Sequence, residues 1–232
     1  MMSSLGRLHL VTDARRDRDP VAVVRAALSV GVPVVQVRVP DHLSDRGAYG
    51  LASVIVGLCR TVGATCLVND RLHIALAVGA DGGHVGGDDL PVDAARRVLR
   101  PEKILGATAR TPADGVAAVQ RGATYLGVGP AYATTTKEGL PDPIGTAGIA
   151  AVAAAVAVPV IAIGAVTAAR IPALLAAGAH GVAVVTAISD AADPARAAAE
   201  LLACLPAPGS TPPVAMPIPG FQPGWPDPGG AA

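Results

Sequence analysis

The sequence predicts an α/β fold, a (β/α)8 barrel of the TIM type, and three observations point to it. Short runs rich in Val, Ile and Leu alternate along the chain with segments whose apolar residues recur at helical spacing. Hydrophobic residues make up 51% of the 232 positions and aromatic ones only 2%. The core must therefore be built from Ala, Val, Leu and Ile, which suits parallel strands buried on both faces. Gly-Ala pairs at 79–80, 122–123 and 178–179 each fall between a helical run and the next strand, where glycine takes a left-handed cap most easily.

Taken in order, strands are expected at Leu8–Thr12, Val34–Val39, Thr65–Asn69, Gly82–Val85, Ile104–Thr108, Tyr125–Val128, Val158–Ile163 and Gly181–Val185. Helical spacing marks Pro20–Val30, Leu51–Val62, Arg71–Val78, Val92–Leu99, Ala113–Arg121, Ile149–Ala157 and Ala168–Ala177. Eight alternations close a barrel, expected to occupy residues 1–205 as one domain. From Pro206 the text reads PAPGSTPPVAMPIPGFQPGWPDPGGAA. Such a Pro/Gly stretch cannot bury enough surface to offset its ordering entropy, so residues 206–232, with Phe221 and Trp225, are expected to form a disordered tail.

Composition excludes several partners. Lys plus Arg and Asp plus Glu number 18 each, and no basic stripe is interleaved with aromatics, so nucleic acid is not an expected partner. Cys59, Cys66 and Cys204 show neither CxxC spacing nor an even count, so they are read as reduced thiols rather than a zinc site or disulfide framework. The first residues lack a signal-like apolar core. Residues 143–169 carry no charge, but Pro159 and Gly164 split them into a helix pattern and a strand, so no membrane span is expected. A cytoplasmic protein follows as the expectation; the sequence is compatible with a homo-oligomer without fixing the state.

Chemistry-bearing residues gather where strands are expected to end. Asp70 closes LVND and Asp89 follows the next strand in HVGGDDLP. Two such carboxylates could hold one Mg2+, which prefers hard oxygen ligands together with substrate phosphates; the alternative is that each caps a helix. Gln36 and Arg38, two apart on a strand, share one face, and a buried guanidinium needs an anion, either a substrate or a barrel acid. The loop GVGPAYATTTK brings Thr134, Thr136 and Lys137 toward the same mouth. Gly164, Ala165, Val185 and Thr186 follow the last two strands, where barrels commonly bind phosphate through backbone N–H groups; tight turns are the alternative. His84 reads as a satisfied histidine near a strand end, ahead of a ring-stacking role, and the other four histidines carry no ligand spacing.

VQVR at 35–38, LVND at 67–70, HVGGDDLP at 84–91, LGATA at 105–109, GVGPAYATTTK, AIGAV and GVAVVTAI together resemble the thiamine-phosphate synthase family, in the family's order, from about Leu8 to Ala203. The resemblance implies a transferase that condenses 4-amino-2-methyl-5-(diphosphooxymethyl)pyrimidine with thiazole phosphate, releasing pyrophosphate. It implies that Gln36, Arg38 and Asn69 hold the pyrimidine diphosphate, that Asp70 and Asp89 ligate Mg2+, and that Thr108 occupies a serine or threonine position. Thr134, Thr136 and Lys137 then grip the phosphates, while Gly164, Val185 and Thr186 cradle the thiazole phosphate. Arg38, Thr108 and Lys137 are the residues expected to act in catalysis.

Three departures from the family pattern stand out. Val39-Pro40 replaces an acidic residue and a lysine, with Arg46 or His42 as candidate substitutes. Ala165 replaces a glycine and disfavours φ > 0 in the phosphate turn. Gly87-Asp88 stands where a glutamine and an acid are usual. A thiazole-phosphate tautomerase and a non-catalytic precursor-binding paralogue are the competing readings; Arg110 at the tautomerase's usual histidine position argues against the first.

Overall fold

The computed structural model describes residues 5–13, 19–134 and 141–206. Eight parallel strands close in sequence order: β1 (Leu8–Val11), β2 (Val34–Val37), β3 (Thr65–Asn69), β4 (Gly82–Val85), β5 (Ile104–Ala109), β6 (Tyr125–Val128), β7 (Val160–Ile163) and β8 (Gly181–Val184). Around them lie α1 (Pro20–Ser29), α2 (Asp45–Val62), α3 (Leu72–Ala77), α4 (Val92–Val98), α5 (Pro112–Gln120), α6 (Gly145–Ala155), α7 (Ile171–Ala176), α8 (Thr186–Ser189) and α9 (Pro194–Ala203). The expected barrel is the fold observed.

Local chemistry sets the helix boundaries. The Asp19 carboxylate accepts the N–H groups of Val21 and Ala22 at 3.0 and 3.2 Å, and Pro20 opens α1. Thr111 and Asp114 form a reciprocal capping box at α5. Gly79, Gly122 and Gly178 have φ of 67°, 106° and 90°, the left-handed conformation expected of the Gly-Ala punctuation.

Several boundaries differ from expectation. α2 starts at Asp45, six residues before Leu51, because Ser44 caps it at Gly47 N–H; two early glycines obscure the helical spacing. α6 starts at Gly145 rather than Ile149, and the 168–177 segment begins as a 3-10 turn over Ala168–Arg170. Strands β2 and β8 end at Val37 and Val184, one or two residues early. α9, capped by Asp193 and opened by Pro194, was not anticipated; it packs on α1 and completes the helical ring.

Two apolar layers separate along each strand. Leu8, Leu10, Val35, Val37, Val68, Leu126 and Val182 point outward beneath the helices, and Val34, Leu67, Tyr125, Ile161 and Ala183 fill the inside. Room for the large Tyr125 ring comes from the neighbouring strand: a Cβ on Gly106 would sit 2.2 Å from Tyr125 Cζ and 2.4 Å from His84 Nδ1. His9 also lies inside, with Nε2 3.0 Å from Gly6 O and its ring 5.5 Å from that of Tyr125. Burial pushes its pKa down to about 3.

Two outcomes follow. Gly106→Ala overpacks the barrel and lowers stability by about 1–3 kcal/mol, whereas Gly57→Ala, on exposed α2 with no atom within 4 Å of its new Cβ, gains about 1 kcal/mol; urea melts of the two variants should shift in opposite directions. Because His9 and His84 are held below their unfolded pKa of about 6.5, their buried neutral state favours folding fully above that pH. The contribution is lost as pH falls toward their folded values. The urea midpoint should therefore drop between pH 7.5 and pH 5, and an unchanged midpoint would contradict the buried-neutral assignment.

Candidate active site

Closure by parallel strands puts all eight C-terminal ends on one rim. At the exit of β2, Arg38 is fixed through its backbone: its N–H donates to Thr12 Oγ1 at 2.8 Å and its carbonyl accepts from that hydroxyl at 2.7 Å. Gln36 stays inside the barrel, 7% exposed. Val39 and Pro40 lead into a turn to which Arg71 donates, at 3.4 Å to Pro40 O and 3.1 Å to Asp41 O, while pairing with Asp45 at 3.1 Å. Arg71 thus brings a guanidinium to the turn that lacks the family lysine, a contact no local spacing in the sequence signals.

Asn69 ends β3 in register with His84. Asp70 follows with φ of 62°, and its N–H donates to His84 O at 2.8 Å. A left-handed residue with a side chain costs about 1–2 kcal/mol, and such conformations cluster at functional sites. The N-cap position of α3 is Arg71, one residue after Asp70. Asp89 is no cap: α4 takes Pro91 as its N-cap, and Asp89 Oδ2 accepts Gly86 N–H at 2.7 Å. That bond folds the β4–α4 loop around the Asp89 carboxylate. Asp70 and Asp89 therefore stand on loops after adjacent strands, and the Asp70 N–H ties the first of these loops to β4.

Thr108 is exposed although Ala107 and Ala109 on either side are buried, so it borders the open mouth from the inner face of β5. Thr134 is partly buried in the loop after β6. Thr136 and Lys137 lie outside the described residues. Arg110 braces both feet of that loop, donating from Nη2 to Asp142 O at 2.8 Å and from Nη1 to Gly129 O at 3.4 Å.

Gly164 has φ of 108°, and a Cβ there would come within 2.7 Å of Pro130 Cα and 2.9 Å of Ala131 N. The loops after β6 and β7 are pressed together, with Ala131 N–H donating to Ile163 O at 2.7 Å. Ala165 adopts φ of 46° despite its methyl group. Arg170 holds it there, donating to Ala165 O at 2.5 Å while its guanidinium lies 4.2 Å above the Tyr132 ring. Val185 and Thr186 follow β8 directly, the latter opening α8.

Beneath the mouth runs a buried polar chain. Gln36 Nε2 donates to Tyr125 Oη at 3.2 Å, Tyr125 Oη is 3.0 Å from His84 Nδ1, and His84 Nε2 is 3.0 Å from Thr108 Oγ1. Its polarity follows from counting hydrogens. With Gln36 donating into the phenol oxygen, the phenolic hydrogen needs an acceptor, and His84 Nδ1 provides it. The other tautomer would leave that hydrogen unpaired at a residue 1% exposed, at a cost of about 1–3 kcal/mol. His84 is accordingly neutral with its proton on Nε2; burial holds its pKa near 4 against the pull of Asp89. Thus His84 is the satisfied histidine expected, but its partners Tyr125 and Thr108 were not foreseen. Inward-facing glycines at 106 and 127 were the available signal.

Residues 8–188 match the family described as thiamine monophosphate synthase. The chain belongs to the thiamine monophosphate synthase family. It is 66% identical over 206 residues to the thiamine-phosphate synthase of Salinispora arenicola, covering 88% of this chain and 99% of that one. Against the Chlorobium limicola thiamine-phosphate synthase the identity is 40%, with 88% and 96% covered. Among solved structures, thiamine phosphate pyrophosphorylase from Pyrococcus furiosus superposes with a TM-score of 0.78 at 32% identity, over 85% of this chain and 94% of that one. A 3-hexulose-6-phosphate synthase, 22% identical with a TM-score of 0.60, shares the barrel alone.

No helix among the described residues is long and apolar enough to cross a membrane, and no cluster of three or more His, Cys, Asp or Glu side chains gathers there.

Relieving the left-handed alanine gives a direct check on the turn after β7. Ala165→Gly should raise stability by about 1 kcal/mol, or about 2–4 °C in Tm; a lower Tm would show that the methyl group packs favourably.

Proposed function

We propose that this family member joins the methylene carbon of the pyrimidine diphosphate to the thiazole nitrogen across the barrel mouth, with the two phosphorylated substrates held by opposite arcs of the rim. Its class is that of the family, a transferase that forms thiamine phosphate. Arg38, Asn69, Asp70 and Asp89 on the exits of β2 to β4 take the diphosphate side. Gly164, Val185 and Thr186 after β7 and β8, with Thr134 after β6, take the thiazole phosphate side, and Thr108 on β5 lies between. What supports this reading is that Asp70, Asp89 and Thr108 fall at the ends of three successive strands, β3 to β5, with Thr108 exposed.

A metal ion belongs to this family's reaction, and Mg2+ held by Asp70 and Asp89 is the ion proposed; when bound it would neutralise charge on the diphosphate. The carbon–oxygen bond breaks with its electron pair leaving on the diphosphate. Arg38, Thr108 and Lys137 stabilise that growing negative charge. Gln36 orients the pyrimidine, whose amino group shares the positive charge left on the methylene carbon. The thiazole nitrogen lone pair then forms the new bond, and positioning supplies much of the acceleration. No general base is required.

Arg110 favours this reading over the tautomerase alternative, since its guanidinium is engaged by the carbonyls of Gly129 and Asp142. Purified full-length chain with both substrates and Mg2+ should yield thiamine phosphate and pyrophosphate, with turnover abolished by chelation. Lys137→Ala should lower kcat on the order of 10²–10³, and Asp89→Asn should raise the Mg2+ requirement. Binding of both substrates without turnover would favour the sequestering paralogue instead, and metal-independent product would refute the two-carboxylate site.

A further inference from the structure

We propose that His84 and Tyr125 are positioning residues that fix the direction of the Gln36–Tyr125–His84–Thr108 chain, so that the Thr108 hydroxyl donates its hydrogen outward to the departing diphosphate. The inference rests on the reading of the rim as the transfer site. None of the motif assignments gives His84 or Tyr125 a part in the reaction.

Thr108 can serve the leaving group only as a donor, because the diphosphate oxygens carry lone pairs and negative charge. Its hydroxyl has one hydrogen. If His84 offered a bare Nε2, the 3.0 Å contact would turn that hydrogen inward and present lone pairs to the diphosphate. With the proton on Nε2, Thr108 accepts from below and its hydrogen is released toward the open side, where the residue is exposed. The state of Nε2 is decided two bonds away, at Nδ1, by the phenol of Tyr125, and the phenol is committed by Gln36 Nε2. Gln36, having spent an amino hydrogen on Tyr125, presents its Oε1 as the acceptor it can offer a pyrimidine amino group.

The barrel is built around this chain. Tyr125 is among the largest fully buried side chains, in a protein with three tyrosines, one tryptophan and one phenylalanine. Gly106 and Gly127 stand where any Cβ would strike Tyr125 or His84, at 2.2 and 2.9 Å respectively. An apolar filler would close the same space without a polar chain, so the hydroxyl and imidazole call for a role beyond packing.

The test joins spectroscopy to kinetics on the full chain. Long-range proton–nitrogen correlation of the His84 ring in the free enzyme should report a protonated Nε2 and bare Nδ1; the reverse tautomer overturns the proposal. Tyr125→Phe keeps the ring and removes the hydroxyl, so it should lower kcat about tenfold, the size typical of losing a supporting rather than a contacting group. It should also raise KM for the pyrimidine diphosphate through Gln36. In a Thr108→Val background the kcat loss should vanish while the KM effect persists. An equal kcat loss in both backgrounds would mean that Tyr125 does not act through Thr108, and would overturn it. Should Tyr125→Phe not fold, the wild-type tautomer decides alone. Lack of any turnover by wild type would instead strike the proposed function, leaving the tautomer measurement interpretable.

Discussion

Tyr125 fills the inside of a closed barrel and carries a hydroxyl there that has to be paired, and much of the molecule answers to that requirement. Gly106 and Gly127 clear the volume. Gln36 on β2 and His84 on β4 supply the donor and acceptor, so strands far apart in sequence share one buried polar contact. Among the described residues no buried side-chain polar atom lacks a partner. In a low-dielectric interior a fully satisfied chain specifies its own geometry, because any shift strands a hydrogen bond. The top of this chain is Thr108, so the packing of the barrel's middle and the orientation of its mouth are one problem.

Above it, rigidity is delivered by backbone. Thr12 clamps the exit of β2, the N–H of Asp70 reaches into β4, the N–H of Gly86 locks Asp89, and Arg110 and Arg170 brace the loops after β6 and β7. Arg38, Asp70 and Asp89 thereby sit on backbone stems held by hydrogen bonds to neighbouring strands and loops. Asp70 and Ala165 occupy left-handed backbone at two of these stems. Such conformations persist where the surrounding structure over-determines them, and here they flank the two arcs proposed to hold phosphate groups. A preformed cradle lowers the ordering cost of binding two anionic substrates at once.

Much of the fold could be read from the one-dimensional pattern because the barrel repeats a local rule eight times. Short Val/Ile/Leu runs, Gly-Ala stops and capping residues such as Asp19 and Thr111 are local signals. The start of α2 was hidden by Gly47 and Gly50, and α9 needed weight on Asp193-Pro194, an ordinary cap followed by alanines. Candidate site residues stand out as motifs, and the structure puts Asp70 and Asp89 on the loops after β3 and β4, at strand exits as the motifs imply. What the sequence could not display was the pairing of His84 with Tyr125, 41 positions apart, or the approach of Arg71 to the turn at Pro40. Those depend on strand register and barrel closure, which no local spacing encodes.

The central claim is that one rim gathers both substrates around Asp70, Asp89 and Thr108. A crystal structure of the full chain with Mn2+ in place of Mg2+, pyrophosphate and thiamine phosphate tests it most directly, since the anomalous signal of the metal locates the ion. The account predicts metal between Asp70 and Asp89, pyrophosphate against it and within hydrogen-bond distance of Thr108, and the thiazole phosphate at Gly164 and Thr186. Metal bound away from those carboxylates, or the two phosphate groups in separate cavities, would contradict it.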